Sequence, residues 1–248
     1  SLFLPDKEKQ WGSFDYSQQE PRLVVHYASS VDSGFEGSYE LIKAYQNEDA
    51  DFHQVVADMA DIPRSQAKTI NLGLFYGTGK AKLQAELGVS KDKAVELFDQ
   101  YHAKVPFVKQ LMNSASNRAQ ERGQIRTLLG RLCRFHLWEP NSFGMHKAMS
   151  FEEAERTYGR GRIRRAYTYK ALNKLIQGSA ADMTKKAMLD LYKEGIIPHI
   201  QIHDELDISI QSDDQVKKII EIMENAVTLV VPNKVDYESG NTWGDING

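Results

Sequence analysis

The sequence predicts an α+β fold in which strands from both ends of the chain share one antiparallel sheet, with a mostly helical segment inserted between them. A short strand pattern, WGSFDY, lies near the start of the chain at residues 11–16. A hairpin pattern lies near the end, where IPHIQIHDELDISI alternates apolar and polar residues on either side of His203 and Asp204. Most of the segment between these two patterns has helical spacing.

A helix is expected directly after the first strand. Ser17 as N-cap and Glu20 three residues later form the capping-box pattern, and the apolar run LVVHYA continues the helix. Pro21 falls just past the first turn, where proline is tolerated.

The middle of the chain is predicted to form a series of helices that begin at serine or proline. Residues 39–60 have helical spacing with a break at residues 47–51, and Pro63 opens a long helix that ends at Gly77-Thr78-Gly79. Further helices are expected at residues 80–87, at 90–103 after Ser90, and at 106–122 behind Pro106.

The remaining elements are a hairpin, a long loop and two helices. QIRTLLGRLCRF predicts a hairpin around Gly130. Residues 138–161 predict a long loop with a short helix at 150–157, and residues 164–194 the longest helix, interrupted near Gly178. A last helix at 213–228 and a last strand at 234–238 complete the expected fold.

The composition is typical of a globular protein. Of 248 residues, 41% are hydrophobic and 26% charged, and the mean hydropathy is −0.50. No apolar run approaches the roughly 20 residues that a membrane helix needs, and the charged start of the chain does not resemble a signal peptide. Cys133 is the only cysteine, which excludes an internal disulfide and favours a reducing cytoplasm.

The charge is unevenly distributed along the chain. The net charge of −3 argues weakly against a nucleic-acid partner. One block without acidic residues is nevertheless strongly basic: Arg156, Arg160, Arg162, Arg164, Arg165, Lys170 and Lys174. Such a block can bind phosphate or can form a solvated loop, and composition alone does not decide between the two.

Three groups of polar residues have spacings that suit phosphoryl transfer. The first is the pair Asp15 and Glu20. The second is a row spaced four apart on one predicted helix, which leads from two cations to an aromatic ring: Arg64, Lys68, Leu72 and Tyr76. The third is His203-Asp204-Glu205 at the tip of the predicted hairpin.

Each group also has a purely structural interpretation. Glu20 could close a capping box, Asp15 could end a strand, and the cations could form a solvated face. His203 and Asp204 could be turn residues, since aspartate is common in turns. Taken together, two carboxylates from separate elements and a cationic helix between them favour two-metal phosphoryl transfer.

At these positions the chain resembles DNA polymerase family A, the DNA polymerase I type. DYSQQEPR (15–22) resembles motif A, RSQAKTINLGLFYG (64–77) motif B, and QIHDE (201–205) motif C. LNKLIQGSAADMTKKAM (172–188) resembles the helix that precedes motif C. The segments occur in the family's order over nearly the whole chain.

The resemblance implies a palm built from residues 1–38 and 166–248, with fingers at residues 39–165 inserted between them. It implies nucleotidyl transfer from dNTPs to a primer 3′-hydroxyl on template DNA. Two Mg²⁺ ions, with Mn²⁺ as a possible substitute, would be held by Asp15, Asp204 and the Tyr16 carbonyl, with Glu205 as a nearby carboxylate.

The resemblance also assigns contacts to the substrates. Nucleotide contacts are implied for Arg64, Lys68, His53, Leu72, Tyr76, Gln18 and Glu20. Among these, the resemblance also implies that Lys68 donates a proton to pyrophosphate and that Glu20 acts as a steric gate against a ribose 2′-hydroxyl. Contacts to primer-template DNA are implied for Gly77, Arg22, Asn173, Gln177 and His203.

The sequence departs from the family pattern in four places, one of which is Pro21 in place of an apolar helix former in motif A. Leu72 replaces the usual Phe or Tyr, which predicts strong discrimination against dideoxynucleotides. Residues 138–165 are longer than the family needs, and their basic end could bind template or a partner. The thumb and the 3′–5′ exonuclease are not found in this sequence.

The missing thumb and exonuclease predict the C-terminal part of a split or truncated polymerase, and the short segment between His53 and Arg64 resembles phage replicative polymerases. The expected partner of this part is an N-terminal fragment that carries the thumb, in the cytoplasm of a bacterial host. A single-subunit RNA polymerase is one alternative, against which Glu20 argues. A non-catalytic DNA-binding subunit is another, against which Asp15, Lys68 and Asp204 argue.

Overall fold

The computed structural model describes residues 3–30, 35, 38–46, 51–75, 80–142 and 144–246. Within these ranges the strands are β1 (Gln10–Tyr16), β2 (Gln124–Arg126), β3 (Leu132–Arg134), β4 (Trp138–Pro140), β5 (Ile163–Arg165), β6 (Ile200–Ile202), β7 (Glu205–Ile210) and β8 (Val235–Gly240). The helices are α1 (Gln19–Ser29), α2 (Ser38–Gln46), α3 (Phe52–Ala60), α4 (Arg64–Phe75), α5 (Lys80–Leu87), α6 (Lys91–Lys104), α7 (Pro106–Arg122), α8 (Phe151–Tyr158), α9 (Ala171–Lys193), α10 (Asp213–Asn225) and α11 (Trp243–Ile246).

One antiparallel sheet joins the two ends of the chain in the order β6–β7–β1–β8. The predicted α+β fold with a shared sheet is therefore confirmed. Phe14 in β1 is fully buried and packs against the ring of Tyr237 in β8, with 5.0 Å between the ring centroids. The hydroxyl of Tyr16 donates a 2.6 Å hydrogen bond to the carbonyl of Met223, which fixes the sheet to α10.

Most of the expected helix boundaries are confirmed where a residue at the boundary itself, such as a capping serine or a first-turn proline, specifies it. Ser90 caps α6 by accepting a hydrogen bond from the Lys93 amide, and Pro106 is the first residue of α7. Gly130 turns between β2 and β3 with φ of 88°, as the predicted hairpin requires. The helices α2 and α3 match the expected pair, although residues 47–50 of the predicted break lie outside the described residues.

The predicted capping box at the start of α1 is wrong. The N-cap is Gln18, in a left-handed conformation with φ of 52°, and its side chain makes no capping hydrogen bond. The Ser17 amide instead donates to the carbonyl of Lys234 at 2.9 Å, since β8 runs beside this turn. Pro21 lies in the first turn of α1, where its missing amide is tolerated.

The long helix α9 is shorter than expected at its start and is not interrupted. It begins at Ala171 and runs through Gly178 without a break. A Cβ at Gly178 would lie 2.7 Å from Cγ2 of Thr127, so this glycine lets the β2–β3 hairpin approach the helix closely. The glycine therefore marks a packing contact rather than the end of a helix.

The segment expected as a long loop contains a small paired unit. β4 pairs with β5, which places Trp138 opposite Arg165, and α8 lies between the two strands in sequence, capped by Ser150. The ring of Trp138 packs edge-on against Phe151 and lies under the Arg165 guanidinium. We call residues 138–142 and 144–165 the ribbon module.

No helix within the described ranges is both long and apolar enough to span a membrane.

Candidate active site

The predicted carboxylates from the two ends of the chain meet where the neighbouring inner strands β1 and β7 come to the same end of the sheet. Asp15 at the end of β1 pairs across the ladder with Glu205 at the start of β7. The amide nitrogen of Tyr16 lies 3.5 Å from the carbonyl oxygen of Asp204, at the hairpin tip. On the other side of β1, Asp15 lies opposite Asp236 of β8. Four acidic residues therefore gather where β1 ends.

Burial and neighbouring negative charges raise the pKa of two of these groups, Asp15 and Asp204. Burial, followed by the negative charges of Asp204, Glu205 and Asp236, raises the pKa of Asp15 to about 7. The pKa of Asp204 is also raised, by burial first and by Glu205 as a further cause. The carboxylates thus lie close enough to repel one another.

A divalent cation fits this arrangement. Carboxylate oxygens are the ligands that Mg²⁺ prefers, and a bound cation would relieve the repulsion at Asp15. The described residues include no cluster of three or more His, Cys, Asp or Glu side chains already arranged around a metal position. Asp15, Asp204 and the Tyr16 carbonyl remain the predicted oxygen donors for such an ion.

A cleft of about 510 Å³ opens beside Asp204. It is lined by Gln19, Glu20, Gln177, Ala180, Ala181, His203 and Asp204. These residues come from the start of α1, the middle of α9 and the β6–β7 tip, where His203 has a left-handed φ of 53°. Asn173 lies one turn before Gln177 on α9 and shares its side of the helix.

The cationic row on α4 has the predicted helical geometry. Arg64 and Lys68 are exposed and Leu72 is half-buried, at a spacing of four residues along the helix. Tyr76 and Gly77, the last members of the predicted motif, lie outside the described residues. The side chain of Arg64 is held by Asp51, whose Oδ2 accepts a 2.7 Å hydrogen bond from Nε.

His53 lies beside this row and is oriented from behind by two buried side chains. Nδ2 of Asn71 lies 3.1 Å from Nδ1 of His53, and the Tyr101 hydroxyl donates to Oδ1 of Asn71. Burial lowers the pKa of His53, and the positive charges of Arg64 and Lys68 lower it further, although Asp51 opposes them. With Nδ1 accepting from Asn71, the neutral ring carries its proton on Nε2 and can donate it to a ligand.

The side chains of two predicted contact residues, Arg22 and Gln18, make hydrogen bonds within the fold. Arg22 is only 5% exposed; its guanidinium donates to the carbonyls of Ser17 and Pro232 and stacks on Tyr45. In this structure the Arg22 side chain is therefore not exposed for a contact with DNA, because it joins α1 to the chain before β8. Oε1 of Gln18 accepts hydrogen bonds from Tyr45 and from the Phe52 amide. The nucleotide contact predicted for Gln18 would therefore have to be made by another atom of its side chain.

Sequence reasoning missed several residues that shape the site. Asp236 adds charge to the acidic group, Asp51 holds Arg64, and Gln19 lines the cleft. Asn71 and Tyr101 orient His53. The signal that could have found Asn71 is its polarity on a helix face that is otherwise apolar; the other contacts depend on residues distant in sequence.

Comparison with known proteins identifies the family of this chain. The family model described as DNA polymerase family A matches residues 1–245. The chain is 34% identical to a DNA-directed DNA polymerase of Pseudomonas phage M6, over 100% of this chain and 40% of the phage protein. It is 36% identical to DNA polymerase I of Geobacillus stearothermophilus, over 98% of this chain and 27% of that protein.

A solved structure shares the fold. It is described as the POL domain of Pol1 from M. smegmatis in complex with DNA primer-template and dNTP, with a TM-score of 0.75 and 26% identity. The match covers 99% of this chain and 42% of that one, so the chain spans less than half the length of each of these three matches. Because the family model matches residues 1–245 of the chain, and residues of the first and third motifs line one cleft, the chain belongs to DNA polymerase family A.

Proposed function

We propose that this chain catalyses template-directed DNA synthesis, by nucleotidyl transfer from a dNTP to a primer 3′-hydroxyl. Residues 1–38 and 166–248 would form the palm, and residues 39–165 the fingers. The observation that carries the proposal is the convergence of Asp15 and Asp204 beside a cleft that Glu20 and Gln177 line.

Asp15, Asp204 and the Tyr16 carbonyl would hold two Mg²⁺ ions, or Mn²⁺ in their place. Bound there, the ions would lower the pKa of the primer hydroxyl and neutralise the triphosphate. Glu205, opposite Asp15 in the ladder, would add negative charge without being required as a ligand.

The α4 row would bind the triphosphate. Arg64 and Lys68 are exposed cations on one face, and His53 presents a neutral donor beside them. Lys68, an ammonium with three donors, would also protonate the departing pyrophosphate. Asp51 would hold Arg64 extended until the phosphates compete for it.

The cleft would receive the sugar of the nucleotide and the end of the primer. Glu20 would occupy the space that a ribose 2′-hydroxyl needs, which selects deoxynucleotides. Asn173, Gln177 and His203 would contact the primer-template minor groove or the primer end. Tyr76 and Gly77 are proposed to contact the nascent base pair on the basis of the motif alone.

A second polypeptide segment that carries the thumb is part of the proposal, as expected for a split or truncated phage replicative polymerase. This segment would supply much of the duplex grip, since the chain itself has a net charge of −3. We therefore expect the chain alone to add single nucleotides at high enzyme concentration but to show weak or no processive synthesis.

The test is single-nucleotide extension of a labelled primer with chain in excess over DNA. Asp204→Asn should abolish extension, whereas Asp214→Asn, a neutralised acid on the exposed face of α10, should not change it. Glu20→Ala should increase rNTP incorporation relative to dNTP. Equal extension by the Asp204→Asn variant would refute the proposal, and a preference for rNTP in the unmodified chain would indicate an RNA polymerase.

A further inference from the structure

A cavity of about 350 Å³ lies on the side of α9 that faces away from the candidate active site. Its floor is apolar and buried, and is formed by Leu111, Ala115, Ile125 and Leu175. Leu175 and Gln177 are two residues apart on α9, so they point about 200° apart around the helix axis. Because Gln177 lines the cleft and Leu175 lines this inner cavity, the two sites lie on opposite sides of α9.

Two arginines stand at the mouth of the inner cavity. Arg118 on α7 and Arg126 at the end of β2 are exposed, and none of the described residues that line the cavity is acidic. Within the described part of the chain, no carboxylate forms an ion pair with either arginine. Arg126 donates one hydrogen bond, of 3.2 Å, to the Gly130 carbonyl. The mouth of the cavity therefore attracts an anion.

The walls of the inner cavity are held in place by hydrogen bonds beneath it. The hydroxyl of Tyr27, which lines the cavity, lies 2.6 Å from Oγ of Ser179 on α9. The same Oγ accepts a 3.0 Å hydrogen bond from the Leu128 amide. One serine thus ties the end of α1 and the β2–β3 hairpin to α9. A cavity of this size that is already formed, with an apolar floor and a few polar groups, is typical of a ligand site.

A second, more open cavity of about 590 Å³ adjoins the inner one across α7. Ser114 and Arg118, one turn apart, line both cavities, so the two form one continuous groove. This outer cavity adds one acid, one arginine and three uncharged amide side chains: Glu121, Arg122, Gln110, Asn113 and Asn117. Among the described lining residues, the groove therefore carries three arginines and a single carboxylate.

We propose that this groove, formed by the inner and outer cavities, binds an acidic peptide segment of a partner protein. One large apolar side chain of the peptide fills the inner cavity, where removal of its surface from water stabilises the complex. The carboxylates of the peptide pair with Arg118, Arg122 and Arg126, because guanidinium groups bind carboxylates through two parallel hydrogen bonds. A compact small molecule would fill only one cavity, whereas an extended peptide spans both.

Nucleic acid suits this groove less well than a peptide does. A DNA strand is bound through phosphate contacts and through bases stacked on exposed rings. The rings among the described lining residues, Tyr27 and Phe35, are half-buried, and an inner cavity of about 350 Å³ is too small for a duplex. The proposal goes beyond the proposed polymerase function and does not depend on it.

The direct test is the fluorescence anisotropy of the labelled, C-terminally amidated peptide Asp-Glu-Asp-Glu-Leu-Phe, titrated with the whole chain at low salt in EDTA. Arg118→Ala should weaken binding by about tenfold or more, since it removes a hydrogen bond between charged groups. Lys109→Ala is the matched control, because it removes an exposed cation from α7 outside both cavities, and it should leave the affinity unchanged. Equal losses in the two variants would overturn the inference.

The apolar part of the recognition is tested with the peptide Asp-Glu-Asp-Glu-Gly-Ser, which keeps the charge and lacks the large side chains. It should bind about tenfold more weakly than the first peptide, because nothing fills the inner cavity. Ser114→Leu, which places an apolar side chain where the two cavities meet, should reduce this difference. Equal affinity of the unmodified chain for both peptides would contradict the proposal. Urea unfolding curves verify that each variant is folded.

Competition by DNA and primer extension decide between a peptide and nucleic acid in the groove. Neither unlabelled dT₂₀ nor a 20-base-pair duplex should displace the peptide. Arg118→Ala should add one nucleotide to a primer as the unmodified chain does, because the groove lies across α9 from the cleft. Displacement of the peptide by DNA, or loss of extension in the Arg118→Ala variant, would assign the groove to DNA and refute the peptide site. Absence of extension by the unmodified chain, with the expected peptide binding, would refute the polymerase proposal alone.

Discussion

The indole Nε1 of Trp243 donates a 2.8 Å hydrogen bond to Oδ2 of Asp207, a carboxyl group with no exposed surface. This contact ties α11 to the centre of the sheet, two residues beyond Glu205. Burial and, after it, a hydrogen bond with the Glu205 carboxyl together raise the pKa of Asp207 to about 7, since two carboxyl groups share such a bond only through a proton. The Trp243 bond acts in the opposite direction.

Asp207→Asn should therefore stabilise the fold at neutral and alkaline pH. The folded pKa of Asp207 lies above its unfolded value of 3.8, so the folded state binds the extra proton between about pH 4 and 7. The stability contributed by that proton is fully present below pH 4 and is lost as the pH rises through 7. Asparagine carries no charge and still accepts from Trp243, so the gain at pH 8 should be on the order of 1–3 kcal/mol.

The measurement is urea unfolding in EDTA at pH 8 and pH 4, which keeps metal ions out of the comparison. At pH 4 the unfolding free energies of the variant and the unmodified chain should differ much less than at pH 8. The difference measured at pH 4 serves as the internal reference. An equal stability difference at both pH values would show that packing, not titration, separates them.

Tyr101→Phe should weaken both the fold and nucleotide binding. The variant leaves the buried Oδ1 of Asn71 without its donor, which should cost about 1–3 kcal/mol in unfolding free energy. Asn71 then no longer fixes the ring of His53, so the KM for dNTP should rise severalfold while kcat changes less. In a His53→Ala background the same substitution should have no further effect on KM; a full additive effect would exclude a role through His53.

Where sequence reasoning succeeded, the signal lay within a few residues of the element it specified. Ser90 and Pro106 set helix starts, and Gly130 sets a hairpin, through contacts made inside one turn. The motifs likewise identified Asp15 and Asp204 as a pair, and the structure places them side by side, although their roles stay predictions.

Where it failed, a distant partner decided the outcome. Ser17 matched a capping box, but its amide bonds to the Lys234 carbonyl from the far end of the chain. Arg22 is a residue type that often contacts DNA, yet its guanidinium is buried by contacts with Tyr45 and with the Pro232 carbonyl. Asp236 joins the acidic group only through strand register, which no local pattern specifies.

Gly178→Ala should destabilise the chain although alanine is the better helix former. The new Cβ would lie 2.7 Å from Cγ2 of the buried Thr127. Overpacking of this kind costs about 1–3 kcal/mol, against a gain of about 1 kcal/mol in helix propensity. Thr127→Ser removes the clashing methyl group, so the double variant should recover most of the loss in thermal unfolding. Additive losses would show that the contact is not the cause.

Leu72→Tyr should relax discrimination against dideoxynucleotides. Leu72 is half-buried on α4, one turn beyond Lys68, and it offers an incoming sugar no hydrogen-bonding group. A tyrosine hydroxyl there would supply the group that the missing 3′-hydroxyl normally provides, and one such bond contributes about 1 kcal/mol, or roughly fivefold to tenfold in relative incorporation. The measurement is the ratio of ddNTP to dNTP incorporation at a single template position. Leu72→Phe, which adds the ring without the hydroxyl, separates the effect of shape from that of hydrogen bonding. Easy ddNTP incorporation by the unmodified chain would contradict the prediction, because leucine at this position would then not discriminate against the missing hydroxyl.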